Sequence, residues 1–321
     1  MPRAPETVPE HVPSEHVPPG EAPLGDPRSS TFRFLHAADL HLDSPMRGLS
    51  EYEGAPAGRL RDATRATFQR LVGLALEHEV AFLILAGDLF DVEWNDFSSG
   101  LWLQRELRRL TAEGIHVFIV RGNHDAESRV SSRLTWPEGI TEFGSKKAQS
   151  KVLEAIGVAV HGQSYADQHV SENLALGYPD ATPGLFNVGV LHTSLEGGYQ
   201  GHDPYAPCSL GDLRSRGYDY WALGHIHKRE VVAEDPWVVF PGNLQGRHVG
   251  ETGPKGATLV HVEDGRVARA EALVCDVARW EVLSLDLSDH DDEVSALAAL
   301  DGALGALVKE ASDRLLAVRV V

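Results

Sequence analysis

The sequence has very few cysteines and no long apolar run. Its 321 residues include only two cysteines, Cys208 and Cys275, which excludes a disulfide scaffold and a zinc site built from cysteines. No apolar run approaches the ~20 residues that span a bilayer, and the longest, around 80–86, has the length of a strand. The first residues lack the apolar segment of a secretory signal. We therefore expect a protein of a reducing compartment, the cytoplasm, without membrane association.

Basic residues are also scarce. Lys and Arg together number 29 against 47 Asp and Glu, so the formal net charge is −18. This balance argues against non-specific binding to nucleic acid through the overall charge of the protein. A phosphate-bearing substrate stays open, because bound divalent cations can reverse the local field.

The markers of several enzyme classes are missing as well. The sequence contains no Gly-x-Ser-x-Gly, His-Glu-x-x-His or Cys-x-x-Cys pattern and no Gly-x-x-x-x-Gly-Lys-Ser/Thr loop. It therefore carries no motif of a serine hydrolase, a zincin, a dithiol redox enzyme or a P-loop ATPase. An apolar fraction of 42% nevertheless predicts a packed core.

The chain divides into a proline-rich start and an α/β body. Residues 1–30 hold eight of the 18 prolines, and this composition predicts a disordered, partly polyproline II tail, solvated rather than a docking arm. The body begins with strand and helix patterns in alternation. Strands are predicted over 32–37, 81–86 and 115–120, and helices over 60–80 and 98–112, the second begun by a serine cap. This order predicts a parallel sheet with right-handed crossovers.

Strand patterns dominate beyond about residue 152. Further strands are predicted over 157–165, 186–191, 218–223, 237–240 and 257–262. We expect a second, more antiparallel sheet packed against the first. A helix over 291–311 and a strand over 315–321 follow. This last strand either pairs back onto the body or begins a part that is missing here.

Polar side chains follow five of the predicted strands at the point where each strand ends. They are Asp39 and His41, Asp88 and Asp91, Asn123 to Asp125, His192, and His225 and His227. Ligands of open α/β sheets bind outside the carboxyl ends of the strands. We therefore expect these groups to meet at one edge.

The residue types favour a pair of metal ions. Imidazole nitrogens and carboxylate or amide oxygens suit Mn, Fe or Zn. Asp39 and His41 lie two positions apart, as do His225 and His227, so an extended backbone would point both members of each pair the same way. Asp88 is our candidate for a carboxylate that bridges both ions.

Such a centre would act on a phosphoryl group. Two ions ~3.5–4 Å apart clamp the phosphoryl group and activate a bridging water. His124 is the spare imidazole that can protonate the leaving oxygen, and Asp125 can hold that imidazole. Arg121, beside this turn, either contacts phosphate or pairs with a carboxylate.

Each motif taken alone has an ordinary structural explanation. Gly-Asp-x-x-Asp and Asn-His-Asp are also typical of polar turns with a capping side chain. A single histidine such as His192 is more often a hydrogen-bonded structural residue. All five motifs in this order, each at a strand end, favour the metal site.

These motifs resemble the five motifs of calcineurin-like metallophosphoesterases. The matching residues are Asp39-x-His41, Gly87-Asp88-x-x-Asp91, Gly122-Asn123-His124-Asp125, His192 and Gly224-His225-x-His227, within residues 32–262. The stretches 35–45, 241–248 and 253–256 resemble the SbcD-type DNA-repair exonucleases, especially their YhaO-like members.

The resemblance implies a fold and a set of metal ligands. The fold is a four-layer α/β/β/α sandwich of two mixed sheets flanked by helices. One metal would be held by Asp39, His41, Asp88 and His227, and the other by Asp88, Asn123, His192 and His225. The nuclease branch implies Mn²⁺, although the ligand set does not distinguish it from Fe or Zn. His124 would be the acid, with Asp125 in support.

The resemblance also implies a function and partners. The expected activity is Mn-dependent DNA exonuclease or endonuclease cleavage in DNA repair. The alternatives are a nucleotide phosphodiesterase or phosphatase of the same superfamily, and a phosphoesterase-like scaffold without catalysis. We expect residues 31–276 to form the nuclease domain and 277–321 to begin a C-terminal capping segment that is incomplete. An SbcC-like coiled-coil ATPase on a separate chain and a second copy of this chain are the implied partners.

Overall fold

The computed structural model describes most of the chain beyond the proline-rich start. The described residues are 31–44, 59–60, 62–91, 97–128, 134–196, 204–290 and 292–321. The predicted tail over 1–30 lies outside them. No helix in this part of the chain is long and apolar enough to cross a membrane.

Most of the described strands belong to two six-stranded sheets. The strands of the first half are β1 (Phe32–Ala37), β2 (Phe82–Ala86), β3 (His116–Val120), β4 (Ile140–Glu142), β5 (Gln149–Leu153), β6 (Val158–Gly162) and β7 (Phe186–His192). Those of the second half are β8 (Tyr220–Gly224), β9 (Glu230–Glu234), β10 (Trp237–Phe240), β11 (Gly256–Glu263), β12 (Arg266–Val274), β13 (Ala278–Leu283) and β14 (Leu315–Val320). The helices are α1 (Ala63–Glu77), α2 (Phe97–Ala112), α3 (Asn123–Glu127), α4 (Leu210–Arg214) and α5 (Glu293–Ala311).

The first sheet has the order β12-β11-β1-β2-β3-β4. Strands β1 to β4 pair in parallel, whereas β11 and β12 add antiparallel neighbours. The predicted β-α-β-α-β order is confirmed, with α1 beginning three residues later than predicted. The predicted serine cap of α2 was wrong, because the helix begins at Phe97 and Ser98 lies inside its first turn. Capping signals in a sequence locate a helix start only to within a residue or two.

The second sheet has the order β5-β6-β7-β8-β10-β9. The pairs β6-β7, β7-β8 and β8-β10 are parallel, and only the two edge pairs are antiparallel. The prediction of a more antiparallel second sheet was therefore wrong. The chain between β6 and β7 and between β7 and β8 is long enough for the crossover of a dozen or more residues that a parallel pair needs.

Three apolar cores separate four layers. Helices α1 and α2 cover the outer face of the first sheet, where Phe68 and Leu107 are buried. Between the sheets, Phe34 and Phe82 stack at 4.7 Å, and Tyr220 of the second sheet meets Phe34 edge-on at 5.2 Å. Helix α4 packs on the outer face of the second sheet through Leu213. This arrangement confirms the predicted α/β/β/α sandwich.

The C-terminal residues form a small third sheet, which packs against the start of α1 through Ala278 and Trp280. Strands β13 and β14 pair in parallel in a two-stranded sheet, and α5 packs against β14. The predicted final helix and strand are confirmed to within two residues, and the final strand pairs with β13 and with neither of the two large sheets. The assignment of 277–321 to a capping segment stays a prediction.

Candidate metal centre and active site

The loops that follow β1, β2, β3, β7 and β8 meet where the two sheets lie together. His192, at the end of β7, donates from Nδ1 to the carbonyl oxygen of Ala86, the last residue of β2, at 2.9 Å. The backbone N–H of His225 donates to both carboxylate oxygens of Asp39 at 3.1 Å. These contacts join the second sheet to the first at the predicted edge.

Four of the predicted ligands have a backbone conformation that residues other than glycine rarely adopt. Their φ angles are positive, at 52° for Asp39, 42° for His41, 53° for Asp88 and 99° for His225. Such a conformation costs about 1–3 kcal/mol per residue and persists where the surrounding structure imposes it, often at functional sites. The predicted extended backbone at Asp39-x-His41 and His225-x-His227 was therefore wrong. The side chains meet because tight turns place them together.

One cluster of donors contains Asp39, His41 and His227, which we call the first subsite. The Nε2 atoms of His41 and His227 lie 3.3 Å apart. His227 Nε2 is 3.9 Å from Asp39 Oδ1, and His41 Nε2 is 3.7 Å from Asp88 Oδ2. All three side chains offer donor atoms within 4.8 Å of one another.

A second cluster contains Asn123, His192 and His225, which we call the second subsite. Asn123 Oδ1 and His192 Nε2 lie 3.0 Å apart, and the rings of His192 and His225 are 5.3 Å apart. Asp88 Oδ2 is 3.6 Å from His192 Nε2. Since this oxygen is at nearly the same distance from His41, Asp88 stands between both subsites, as a bridging carboxylate must.

The two subsites fit divalent cations. Two donors that each lie about 2.1 Å from one ion are separated by about 3.0–3.5 Å at tetrahedral or octahedral angles, close to the spacings found here. Burial, and then the charge of Asp88, raises the pKa of Asp39 well above its usual value, so bound cations would favour the charged form of this carboxylate. Burial also lowers the pKa of His41 to about 4, which keeps this imidazole neutral, the form that binds metals.

Each of three ligand imidazoles is oriented by a hydrogen bond from its other nitrogen. His41 donates from Nδ1 to Asp91 Oδ1 at 2.6 Å, and His227 donates from Nδ1 to Glu251 Oε1 at 2.6 Å. His192 uses the Ala86 carbonyl described above. Such partners fix the ring and direct Nε2 at the metal. Burial alone would raise the Asp91 and Glu251 pKa values, but the hydrogen bonds from the two imidazoles and the charge of Arg247 hold them well below the usual range.

The sequence motifs did not point to Glu251. It lies 24 residues beyond His227, in a loop, and forms no short pattern with any ligand. Its only sequence signal is its place between the stretches 241–248 and 253–256, both of which carry the family resemblance. Asp91 belongs to a motif, and its contact with His41 explains its position there.

His124 lies at the start of α3, beside the bridging carboxylate. Its side chain is 36% exposed, and its Nε2 is 4.0 Å from Asp88 Oδ2. Its Nδ1 is 3.6 Å from Asp91 Oδ1. The ring therefore reaches solvent while staying next to the centre, as a proton donor to a leaving group requires.

Asp125 is fully buried, and its carboxylate forms hydrogen bonds with backbone N–H groups. Its carboxylate accepts hydrogen bonds from the N–H groups of Leu89 and Phe90 at 3.0 Å and of Gly122 at 3.1 Å, which tie the loop after β2 to the loop after β3. Burial, and then the charge of Asp88, raises its pKa to about 7. The proposed support of His124 by Asp125 stays a prediction, and Asp91 is a carboxylate close to that imidazole.

The centre opens into a cavity of about 750 Å³. Asp88, Asn123 and His124 line its floor, and Lys228 and Arg247 are among the cationic residues of its wall. Arg121, for which two roles were open, places Nε 3.4 Å from Glu142 Oε1. This contact supports the carboxylate pairing.

Replacing Gly122 with alanine is expected to disrupt the centre. An added Cβ would lie 2.2 Å from Asp88 Oδ1 and 2.8 Å from His192 Cε1, so neither side chain could keep its position. We expect metal affinity to fall about 10-fold or more, the scale found when groups that orient ligands are lost. Metal bound per chain, measured by plasma mass spectrometry at a limiting metal concentration, checks this.

The matched control is Gly73→Ala in α1. An added Cβ there meets nothing within 4 Å, and alanine favours a helix by about 0.5–1 kcal/mol over glycine. This variant should bind metal as the wild type does. Full metal binding by the Gly122 variant would contradict the close packing described here.

Comparison with known proteins places these observations in a family. The family model described as calcineurin-like phosphoesterase matches residues 32–229. The uncharacterized metallophosphoesterase YhaO of Bacillus subtilis (strain 168) is 38% identical over 283 residues, which cover 87% of this chain and 69% of that protein. The DNA double-strand break repair protein Mre11 of Sulfurisphaera tokodaii is 25% identical over 292 residues, 84% of this chain and 69% of that protein.

A solved structure, TT1561 of Thermus thermophilus, is similar at a TM-score of 0.44 and 14% identity, covering 76% of this chain and 99% of that one. This likeness is too weak to bear on activity.

The family match covers more than half of the chain and contains all five motifs. The chain therefore belongs to the calcineurin-like phosphoesterase family, and it is a metal-binding phosphoester hydrolase.

Proposed function

We propose that this protein is a Mn²⁺-dependent phosphodiesterase that cleaves DNA, with a role in DNA repair. One observation carries the proposal. Asp88 Oδ2 lies 3.7 Å from His41 and 3.6 Å from His192, between two donor clusters on the floor of an open cavity. A pair of divalent ions held there would face a substrate that enters from solvent.

The cavity wall supports an anionic substrate. Lys228, Arg247, His248 and Lys255 all line it. The ammonium group of Lys255 donates to the His227 carbonyl oxygen at 2.9 Å. This contact holds the positively charged lysine side chain beside the first subsite. Together with two bound divalent ions, these groups would attract a phosphodiester in spite of the net charge of −18.

The side chains of the centre would have two roles, holding the metal ions and donating a proton. Asp39, His41 and His227 would hold one cation, and Asn123, His192 and His225 the other, with Asp88 shared between them. The bound ions would supply Lewis-acid polarisation of the phosphoryl group and a lowered pKa of water. His124 donates a proton to the leaving oxygen, and its Nδ1 lies 3.6 Å from Asp91 Oδ1.

The similarity to a protein named for DNA double-strand break repair supports DNA over a small phosphodiester. It does so together with the SbcD-like stretches of the sequence, 35–45 and 241–248. A nucleotide phosphodiesterase or phosphatase would use the same ligands and would differ in the surface beside them.

A digestion assay tests the proposal. Purified protein is loaded with Mn²⁺, its metal content is measured, and the same sample is incubated with end-labelled DNA, a cyclic nucleotide and a chromogenic phosphomonoester. We expect DNA to be shortened, and chelator to abolish the cleavage until Mn²⁺ is restored. Hydrolysis of the small substrates without DNA cleavage would replace DNA with a nucleotide or monoester substrate. Full metal loading without hydrolysis of any substrate would overturn the proposed catalysis.

A further inference from the structure

Arg247 lies at the wall of the cavity between Asp91, which is partly exposed, and Glu251, which is buried. Its Nη1 is 3.4 Å from Asp91 Oδ1, and its Nη2 is 3.7 Å from Glu251 Oε1. Nη1 also lies 3.3 Å from Ser44 Oγ, and the backbone N–H of Arg247 donates to Glu251 Oε2 at 2.7 Å. The side chain is only 14% exposed, so the guanidinium is held in place by these contacts.

Both carboxylates act on the same subsite. Asp91 accepts the Nδ1 hydrogen bond of His41, and Glu251 accepts that of His227. Glu251 Oε2 is further held by Nδ2 of Asn243 at 3.0 Å. A single guanidinium therefore contacts both anions that orient the two imidazoles of the first subsite.

The second subsite is built differently. His192 donates to a backbone carbonyl of β2, which needs no counter-charge and is fixed by the sheet. Losing Arg247 would remove the guanidinium contacts of both Asp91 and Glu251, and either carboxylate could then turn away from the imidazole that it orients. The expected effect is confined to one of the two ions.

We propose that Arg247 is a positioning residue that locks the first subsite by holding Asp91 and Glu251 together. Its planar fork can contact both carboxylates at once, which a lysine ammonium cannot do with the same geometry. This role rests on the metal centre of the proposed function and not on the identity of the substrate.

Calorimetric titration of the metal-free protein with Mn²⁺ tests the role. In Arg247→Gln, one of the two binding events should weaken by about 10-fold, the lower end of the cost of losing an outer partner of a metal ligand, because Arg247 acts through two such partners, while the other event keeps its affinity. Arg247→Lys should restore only part of the loss. The matched control is Arg109→Ala, which breaks an arginine–carboxylate pair of 2.7 Å with Glu106 on α2 and should leave both affinities unchanged.

A double-mutant comparison separates positioning from general destabilisation. If Arg247 acts through the two carboxylates, Arg247→Gln should have little further effect in a protein that already carries Asp91→Asn and Glu251→Gln. Equal weakening of both ions, full additivity in this background, or unchanged binding in Arg247→Gln would each overturn the role. A protein that binds two ions normally but cleaves no DNA would contradict the proposed substrate and leave this inference standing.

Discussion

Replacing His124 with alanine is expected to lower the rate of DNA cleavage by about 10²–10⁴-fold, the usual contribution of a general acid. Bound metal should not change. The His124 imidazole lies 4.0 Å from Asp88, and only its backbone N–H, which the substitution keeps, donates to that carboxylate at 3.0 Å. Turnover and metal content measured on the same sample check both halves of the expectation.

The leaving group provides a sharper test of the acid. Nitrophenolate is a stable anion that leaves without a proton, whereas the alkoxide of deoxyribose must be protonated as it leaves. The His124 variant should therefore lose much more activity on DNA than on a bis-nitrophenyl phosphodiester. Equal losses on both substrates, or loss of the ions, would contradict the acid role.

The histidine control for this experiment is His78→Ala. His78 follows α1, just before β2 begins at Phe82, whereas the centre lies at the other end of that strand. The separation along β2 is about 15 Å at ~3.3 Å per residue. This variant should keep both the activity and the metal of the wild type.

The position of the site was predictable because strand order decides which ends of the strands meet. Short apolar runs such as 82–86 and 117–120 favour strands, and every residue of these two runs is buried. Parallel neighbours bring their carboxyl ends to one edge. The residues directly after these runs are therefore brought together, whatever the loops between them do.

The conformation of the loops was not predictable. Asp39 and His41 were expected to be extended, but both have positive φ, because backbone hydrogen bonds to Gly87 and Asp88 pull this loop against the next one. Such bonds form between segments that are far apart in the sequence. No local pattern reports them.

The residues around the ligands were missed for the same reason. Glu251 and Arg247 reach the centre from the loop between β10 and β11, and their roles depend on His227 and Asp91, which lie 24 and 156 positions away. Spacing rules identify ligands that share a turn or a strand. A carboxylate that orients an imidazole from another loop has no fixed spacing.

The negative charge of the centre explains why Arg247 and the bound metal ions are expected to stabilise it. Asp39 and Asp88 are both buried, at 1% and 2% exposure, and Asp91 and Glu251 add two more carboxylates around the first subsite. Without bound cations, Arg247 is a nearby counter-charge for Asp39, Asp91 and Glu251. The stability of this region is therefore expected to depend on metal, and Asp88 is the residue through which both ions act.

Replacing Asp88 is expected to abolish stable metal binding. Its Oδ2 lies between the two subsites, so its removal takes one ligand from each ion, and the affinity for both should fall by more than about 100-fold, since losing even an outer partner costs 10–100-fold. Ligands present at 100 times the dissociation constant stabilise a folded protein by about 2.7 kcal/mol. The rise in melting temperature that Mn²⁺ gives the wild type should therefore vanish in Asp88→Ala.

The variant Asp88→Asn distinguishes the role of the Asp88 charge in metal binding from the role of this side chain in the stability of the fold. The amide oxygen can still accept the N–H of His124, the 3.0 Å contact of Oδ1 in the wild type, but the neutral group cannot bridge two cations as a carboxylate does. The metal-free Asn variant should melt at or above the temperature of the metal-free wild type, because repulsion between Asp39 and Asp88 is gone. Two tightly bound ions in this variant would refute the bridging role. A lower melting temperature of its metal-free form would show instead that Asp88 mainly holds the fold.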